Sequence, residues 1–372
     1  MDVQQVSWTS AAGWNEELPR PDDRESLVLA FGSSDLFDTQ LPFVDLIDLW
    51  GPDRVVGCST PFATSMSTER ATLMVSVIRF DRTRVVTAHA DIARAGGSRR
   101  AARRVGNLIS EPGLQCVVML ADGLMADGSQ LSIGMRDVAE GVVLSGALAA
   151  DNNRFDNTWT LVDGLPRAGW VSAFGLVGEH IELGSGSMGG WEAFSQERVV
   201  TRSHGNVLYE LNGRPAMEIY QNYLGHSVGG IADSALGFPL ALRDLDGRTT
   251  IRSLVGVETR DHGLRFAGDI AQGSTARLMC ASSDDLIHNA QLAAKRADLG
   301  SAQIAIACSG TGRRRVLGER SDEEWDAVRS ALSPDTAIVG LSTMGELSPG
   351  DGETDLQNQT MSITTIRELS PA

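Results

Sequence analysis

Gly225-His226-Ser227-Val228-Gly229 has the G-x-S-x-G spacing of a nucleophile elbow. That chemistry needs a strand before the serine and a helix after it, because the sharp turn between them lifts the hydroxyl beside backbone oxyanion donors. Here Met217, Ile219, Tyr220, Tyr223 and Leu224 recur at helical spacing after Pro215, and Gly225 stands where a C-cap glycine belongs. The context is inverted, so a serine hydrolase acting through Ser227 is kept only as the alternative.

Gly184-Ser185-Gly186-Ser187-Met188-Gly189 has the spacing of a dinucleotide loop, which also requires a helix N-terminus to meet the pyrophosphate and an acidic residue about 20 positions on. Gly190 and Trp191 open no helix, and the strand-like "RVVT" comes next. A glycine-rich turn is the better reading. The six histidines, at 89, 180, 204, 226, 262 and 288, form no i, i+4 pair and no HExxH, and no metal constellation is visible. His226, at the end of the aromatic face of Tyr220 and Tyr223, is the one histidine kept as a candidate ligand.

A third set of polar residues lies where apolar runs end. Cys58-Ser59-Thr60, Ser145-Gly146-Ala147 and Ser342-Thr343-Met344-Gly345-Glu346 each come after a strand-like stretch. In sheets with parallel strands such loops collect at the carboxyl ends and form crevices that hold small ligands. Cys58, Ser59, Thr60, Ser342, Thr343 and Glu346 are therefore the candidate ligand-binding residues.

The elements that would position them repeat. "PDRVVGCST" (52–60) and "PDTAIVGLST" (334–343) share V-G-x-S-T, and their flanks share an order: an apolar strand ("LVLAFGSS", "QIAIACSG"), a helix, then the strand that ends in the shared motif. In the second copy Ser321 and Glu324 are spaced as a capping box. A fainter copy lies between them, in "CVVMLADG", "VVLSGALAAD", "TWTLVD" and "GWVSAFGLVG". From 206 to 280 the texture changes to "FPLALRD", "TTIRSLVGVE", "GLRFAGDI" and "STARLMC", an antiparallel meander. The expected fold is mixed α/β (α+β): two similar lobes with mixed parallel and antiparallel sheets flanked by helices. Residues 1–24, polar and carrying Pro19 and Pro21, are read as a flexible leader.

Composition narrows the function classes. The chain has 372 residues, 42% of them hydrophobic, and a formal charge of -16, so it is a packed protein that repels polyanions over most of its surface. Its basic cluster, Arg99 to Arg104, reads as the wet face of a helix. Cys58, Cys116, Cys280 and Cys308 are far apart, as expected of reduced, buried thiols in a cytoplasmic protein. The N-terminus lacks the pattern of a signal peptide, and no apolar run approaches membrane-spanning length. Neither nucleic acid nor a membrane is expected as a partner.

Many separate segments resemble the FIST family in order. "VVGCST" after "LVLAF" is similar to the first FIST half. "GSGSMGGWEAFSQERVVTRSHGNVLYELNGRPAMEIYQNYLG" resembles the junction, and "FPLAL", "IRSLVGVE", "LRFAGDI", "GSTARLM", "GRRRVLGER", "STMGEL" and "NQT" occur in the order of the second half. The resemblance implies a FIST N-terminal domain over 25–205, a FIST C-terminal domain over 206–369, and a non-enzymatic sensory protein of bacterial signal transduction. Its implied ligand is small, either a polar metabolite such as an amino acid or, as in a haem-binding, nitric-oxide-sensing subset, haem held by a histidine. His226 is the first choice for that role, with His204 and His180 next. With no output element in the chain, the implied partner is a histidine kinase or another signalling protein, and a homodimer is compatible with it. The sequence departs from the family pattern at Met344, at Gln357 before "NQT", and at Pro61-Phe62-Ala63, where the family has A-G-E.

Overall fold

The computed structural model describes residues 1–61, 63–64, 72–139, 141–152, 154–224, 236–258, 261–349 and 354–369. The protein is mixed α+β, and the described residues form four sheets flanked by helices. The first sheet is built on β1 (Asp2–Thr9), β2 (Glu25–Gly32), β3 (Val55–Ser59) and β4 (Leu73–Phe80), with helix α1 (Leu41–Trp50) connecting β2 to β3. In α1, Phe43, Leu46 and Trp50 recur every three or four residues and are buried, the stripe an amphipathic helix offers a core. Gly51 ends it at φ +83°, a conformation that costs glycine little.

The same plan occurs twice more. In the middle of the chain stand β5 (Arg84–Asp91), α2 (Ser98–Ile109), β6 (Leu114–Ala121), α3 (Gly128–Arg136), β7 (Val143–Leu148), the hairpin β8 (Thr160–Val162) with β9 (Leu165–Arg167), and β10 (Trp170–Val177). Next come β11 (Ile181–Met188) and a separate antiparallel region containing α4 (Ala216–Leu224), β12 (Leu240–Arg243) and β13 (Thr249–Arg252). The third copy comprises α5 (Ser283–Ala297), β14 (Ile304–Gly310), α6 (Thr311–Leu317), α7 (Ser321–Ala331), β15 (Ala337–Thr343), the hairpin β16 (Gly345–Pro349) with β17 (Thr354–Gln357), and β18 (Met361–Glu368). Each copy has a parallel pair, β2/β3, β6/β7 or β14/β15. On the far side of its first strand lies an antiparallel strand, β4, β10 or β18.

Beyond each parallel pair the chain leaves its own sheet. Ala63–Thr64, after β3, pairs with β15 of the third copy; β16, after β15, pairs with β7 of the second; and β8, after β7, pairs with β3 of the first. The exchange closes a ring. Alternation then gives every central strand two buried faces. Leu27, Leu29, Phe31, Cys116, Val118, Leu120, Ile304, Ile306 and Cys308 meet in one central core. The residues between them face outward under helices, as Val28 and Ala30 do toward α1, Val117 and Met119 toward α2 and α3, and Ala305 and Ala307 toward α5 and α7.

Three expectations change. Residues 2–9, read as part of a loose leader, form β1, paired with β4 from Asp2↔Arg79 to Trp8↔Leu73. The glutamines hid this, because Gln5 is itself a structural residue whose amide donates to Ser76 Oγ and the Ile338 carbonyl, while Val6 and Trp8 are buried. The Gly184–Gly189 run is no turn: all but its last residue lies in β11, where a Cβ on Gly184 or Gly186 would stand 2.1 Å from the carbonyl oxygen of Ala297 or Ala293 in α5. "TTIRSLVGVE" is two strands, Thr249–Arg252 and Leu254–Val257, broken at Ser253. As expected, Arg99, Arg100, Arg103 and Arg104 lie on the exposed face of α2, above buried Ala101, Ala102 and Val105. No helix among the described residues is long and apolar enough to cross a membrane.

Gly186→Ala should push α5 off β11, because a backbone oxygen cannot swing aside as a side-chain tip can. The expected loss is about 1–3 kcal/mol, measured by chemical denaturation; a variant as stable as the parent would show that α5 shifts freely.

Candidate functional site

The carboxyl ends of the parallel strands come together as the loops demand. Thr60 Oγ1 donates to the Ser342 carbonyl at 2.9 Å and accepts from the Ser342 amide at 3.0 Å, across 282 residues of chain. The Ala150 amide donates to the Ser59 carbonyl at 3.0 Å, and the Met344 amide to the Leu148 carbonyl at 3.0 Å. Each copy thus grips another within two residues of the end of its second strand. Ser59 Oγ accepts from the Trp159 amide at 3.1 Å. Cys58 faces the central core, and burial raises the pKa of its thiol and of that of Cys308, and pushes Cys116 up to about 12. Such thiols are unreactive.

Glu346 is fully buried on β16. Thr343 Oγ1 donates to its Oε1 at 2.6 Å, and the Thr360 hydroxyl and amide donate to Oε2 at 2.8 and 3.2 Å. Burial outweighs these bonds and the Arg313 charge, and pushes the carboxyl up to about 7.

On the outer face of the third sheet, where β14 and β15 end under α6 and α7, lies a cavity of about 70 Å³, room for a few waters or a small solute. Ser309, Ser342, Arg314, Asp322, Glu324 and Trp325 are among its walls. Behind it stands a buried ion pair. Arg313 Nε donates to Glu324 Oε1 at 2.7 Å, and Ser309 Oγ donates to Oε2 at 2.8 Å. The same guanidinium donates to the carbonyls of Leu286, at 2.8 Å, and of Gly189, so it joins α5, α6, α7 and the end of β11 at one point.

Of the six loop residues singled out by sequence, Ser342 lines this cavity; Cys58, Ser59, Thr60, Thr343 and Glu346 do not. Thr60 holds the backbone of Ser342 from behind, and Thr343 bonds Glu346 across the central face. Sequence reasoning missed Ser309, Arg313, Glu324 and Trp325. Ser321 is not the N-cap: helix α7 continues from a 3₁₀ turn with Arg320 at its cap, and Ser321 Oγ donates to the Gly318 carbonyl at 2.6 Å. Glu324 turns inward instead of back to the helix start. Its spacing from the buried Val328 and Leu332, four and eight residues on, placed it on the core-facing stripe.

The order of segments read from the sequence is also that of a known family. The profile of the FIST N domain matches residues 26–214, and that of the FIST C domain matches 216–349. The chain belongs to the FIST family. FIST domains are associated with signal transduction and small-ligand sensing, and are not known enzymes. The FIST N match spans the first two copies of the repeat, β11 and the first strands of the separate antiparallel region, Arg198–His204 and Val207–Leu211; the FIST C match takes in the rest of that region and the third copy as far as β16. No curated protein matches the chain.

Two of the three histidines considered for haem do not face a described cavity. His180 and His204 are exposed, His180 faces Arg82 Nη1 at 3.2 Å, and neither lines a described cavity. His226 and Ser227 lie outside the described residues. The segment leading to Ser227 is α4, where an elbow would require a strand.

Glu324→Gln should cost about 3–5 kcal/mol by leaving the buried Arg313 charge short of its partner, and Arg313→Met with Glu324→Leu should recover much of it; denaturation curves of the two variants beside the parent decide. For Glu346 the raised pKa means the unfolded chain releases this proton first. Stability from the protonated carboxyl is complete below the unfolded value near 4.5 and drains as pH rises through about 7, for a total of about 3 kcal/mol. Glu346→Gln should flatten the fall in unfolding free energy between pH 5 and pH 8; an unaltered slope would mean that Glu346 is ionised throughout.

Proposed function

We propose that this FIST protein is a non-enzymatic sensor that takes a small polar ligand into the cavity at the ends of β14 and β15 and passes its occupancy to a partner protein. The observation that carries the reading is the cavity itself. Ser309, Ser321, Ser342, Glu324 and Trp325 bound it together with Arg314, Glu319 and Asp322, a set that suits a solute bearing both a cationic and an anionic group, such as an amino acid. Its size favours a compact metabolite. Its walls favour transmission: Ser342 is held by Thr60 of the first copy, and Glu324 by Arg313, so a ligand that moved either would change contacts in other sheets. A ligand shifts such an equilibrium only by its differential affinity for the two states.

The partner would be a histidine kinase or another signalling protein, consistent with the association of FIST domains with signal transduction. A haem and nitric oxide version depends on His226, and the hydrolase alternative on Ser227; no described geometry favours either.

A thermal-shift screen of small polar metabolites, amino acids included, tests the reading. A true ligand at about a hundred times its Kd adds about 2.7 kcal/mol and raises the melting temperature by several degrees. Ser342→Val and Trp325→Ala should each abolish the shift. A screen in which nothing shifts the parent, or in which both variants respond like the parent, would sink it.

A further inference from the structure

The serines and glycines of β11 line a second, wider space. A groove of about 730 Å³ runs between β11 on one side and β13, β16 and β17 on the other, with Arg248, Arg296, Ser185, Ser187, Thr249 and Gln357 among its walls. Three sheets end here: β11 is the last strand of the third, β17 of the second and β13 of the fourth. A terminal strand carries a row of unpaired amides and carbonyls. On the far wall these are partly used, since Arg252 donates to the carbonyls of Ile251 and Leu356 at 3.2 and 3.0 Å. On β11 they are open. Its register with β18 runs unbroken from Ile181↔Glu368 to Met188↔Met361, and every second residue directs its N–H and C=O away from that partner. No described residue bonds the outward groups of 182–187. The devices that usually guard an edge, a proline, a lysine or a bulge, are missing along this stretch, and its glycines and serines leave the backbone uncovered.

We propose that β11 accepts an extended, acidic segment of a partner protein as an added strand. Backbone pairing supplies the register, and the groove supplies the charge preference. On a chain of net charge -16, this groove presents two arginines: Arg296 has no described partner, and Arg248 stands 3.7 Å from the groove's own Asp355. An Asp- or Glu-bearing strand running along β11 would meet both, whereas a basic one would meet them as like charges. The inference rests on the reading that the protein signals through another chain. Its test needs no small ligand, so it can fail while the cavity reading stands, and the converse also holds.

The probe is a fluorescein-labelled peptide of about eight residues alternating Glu and Val, set against its Lys and Val counterpart. Fluorescence anisotropy at low salt should show the acidic peptide binding, and Arg248→Glu with Arg296→Glu should weaken it by about tenfold or more and favour the basic peptide. Hydrogen exchange should slow at alternate amides of β11 when the acidic peptide is bound. Equal binding of both peptides, binding that leaves β11 exchange unchanged, or no binding at about 1 mM peptide would overturn the proposal. So would β11 amides already protected in the free protein by pairing between two copies.

Discussion

An open sheet edge is a cost that this protein meets by exchange. Each parallel pair of strands would leave its second strand unpaired on one side, exposing backbone groups that water must satisfy or another chain will. In each copy that side is covered by a strand from a different copy, and three hydrogen-bonded junctions, at the Thr60 hydroxyl and the Ala150 and Met344 amides, fix the exchange. None of the three sheets is complete without the others. Their inner faces therefore share a single core rather than forming three separate ones.

That arrangement explains why polar groups are held so far inside. The strand ends that exchange also carry Ser59, Thr60, Ser342, Thr343 and Glu346, and burying them requires partners for every oxygen and nitrogen. Thr60 answers Ser342, Thr343 and Thr360 answer Glu346, and Arg313 answers Glu324 while tying three helices to the end of β11. A buried ion pair adds little net stability compared with apolar residues, but it penalises every arrangement that separates its members. Around a cavity this selects one geometry, and a change in that geometry is what a sensor must transmit.

β11 is the exception to the edge rule, and the physical reason is visible in its other neighbours. α5 presses so closely on it that only glycine fits at 184 and 186. The same small residues that admit the helix leave the strand's outer backbone bare.

Much of this was legible in the chain. Apolar runs ending in small residues marked β2, β3, β14 and β15 because fully buried strands need nothing else, and the V-G-x-S-T echo marked two equivalent strand ends. Helical spacing located α4, and ordered segments identified the family. Less was legible where a residue's neighbour is remote: the glutamines of β1 read as solvent-facing, Glu324 as a cap, and Gly184 and Gly186 as a turn. Sequence by itself determined most strands, most helices and the chemical character of each strand end, since these arise from periodicity and from local side-chain and backbone preferences. Only the tertiary structure decided which sheet each hairpin completes, that Ser342 borders a cavity while Glu346 lies buried on the central face, and that Arg313 is the partner of Glu324. Those pairings join residues up to 282 positions apart, and no local preference encodes them: they are set by which edges remain open and which charges remain unpaired once the core has closed.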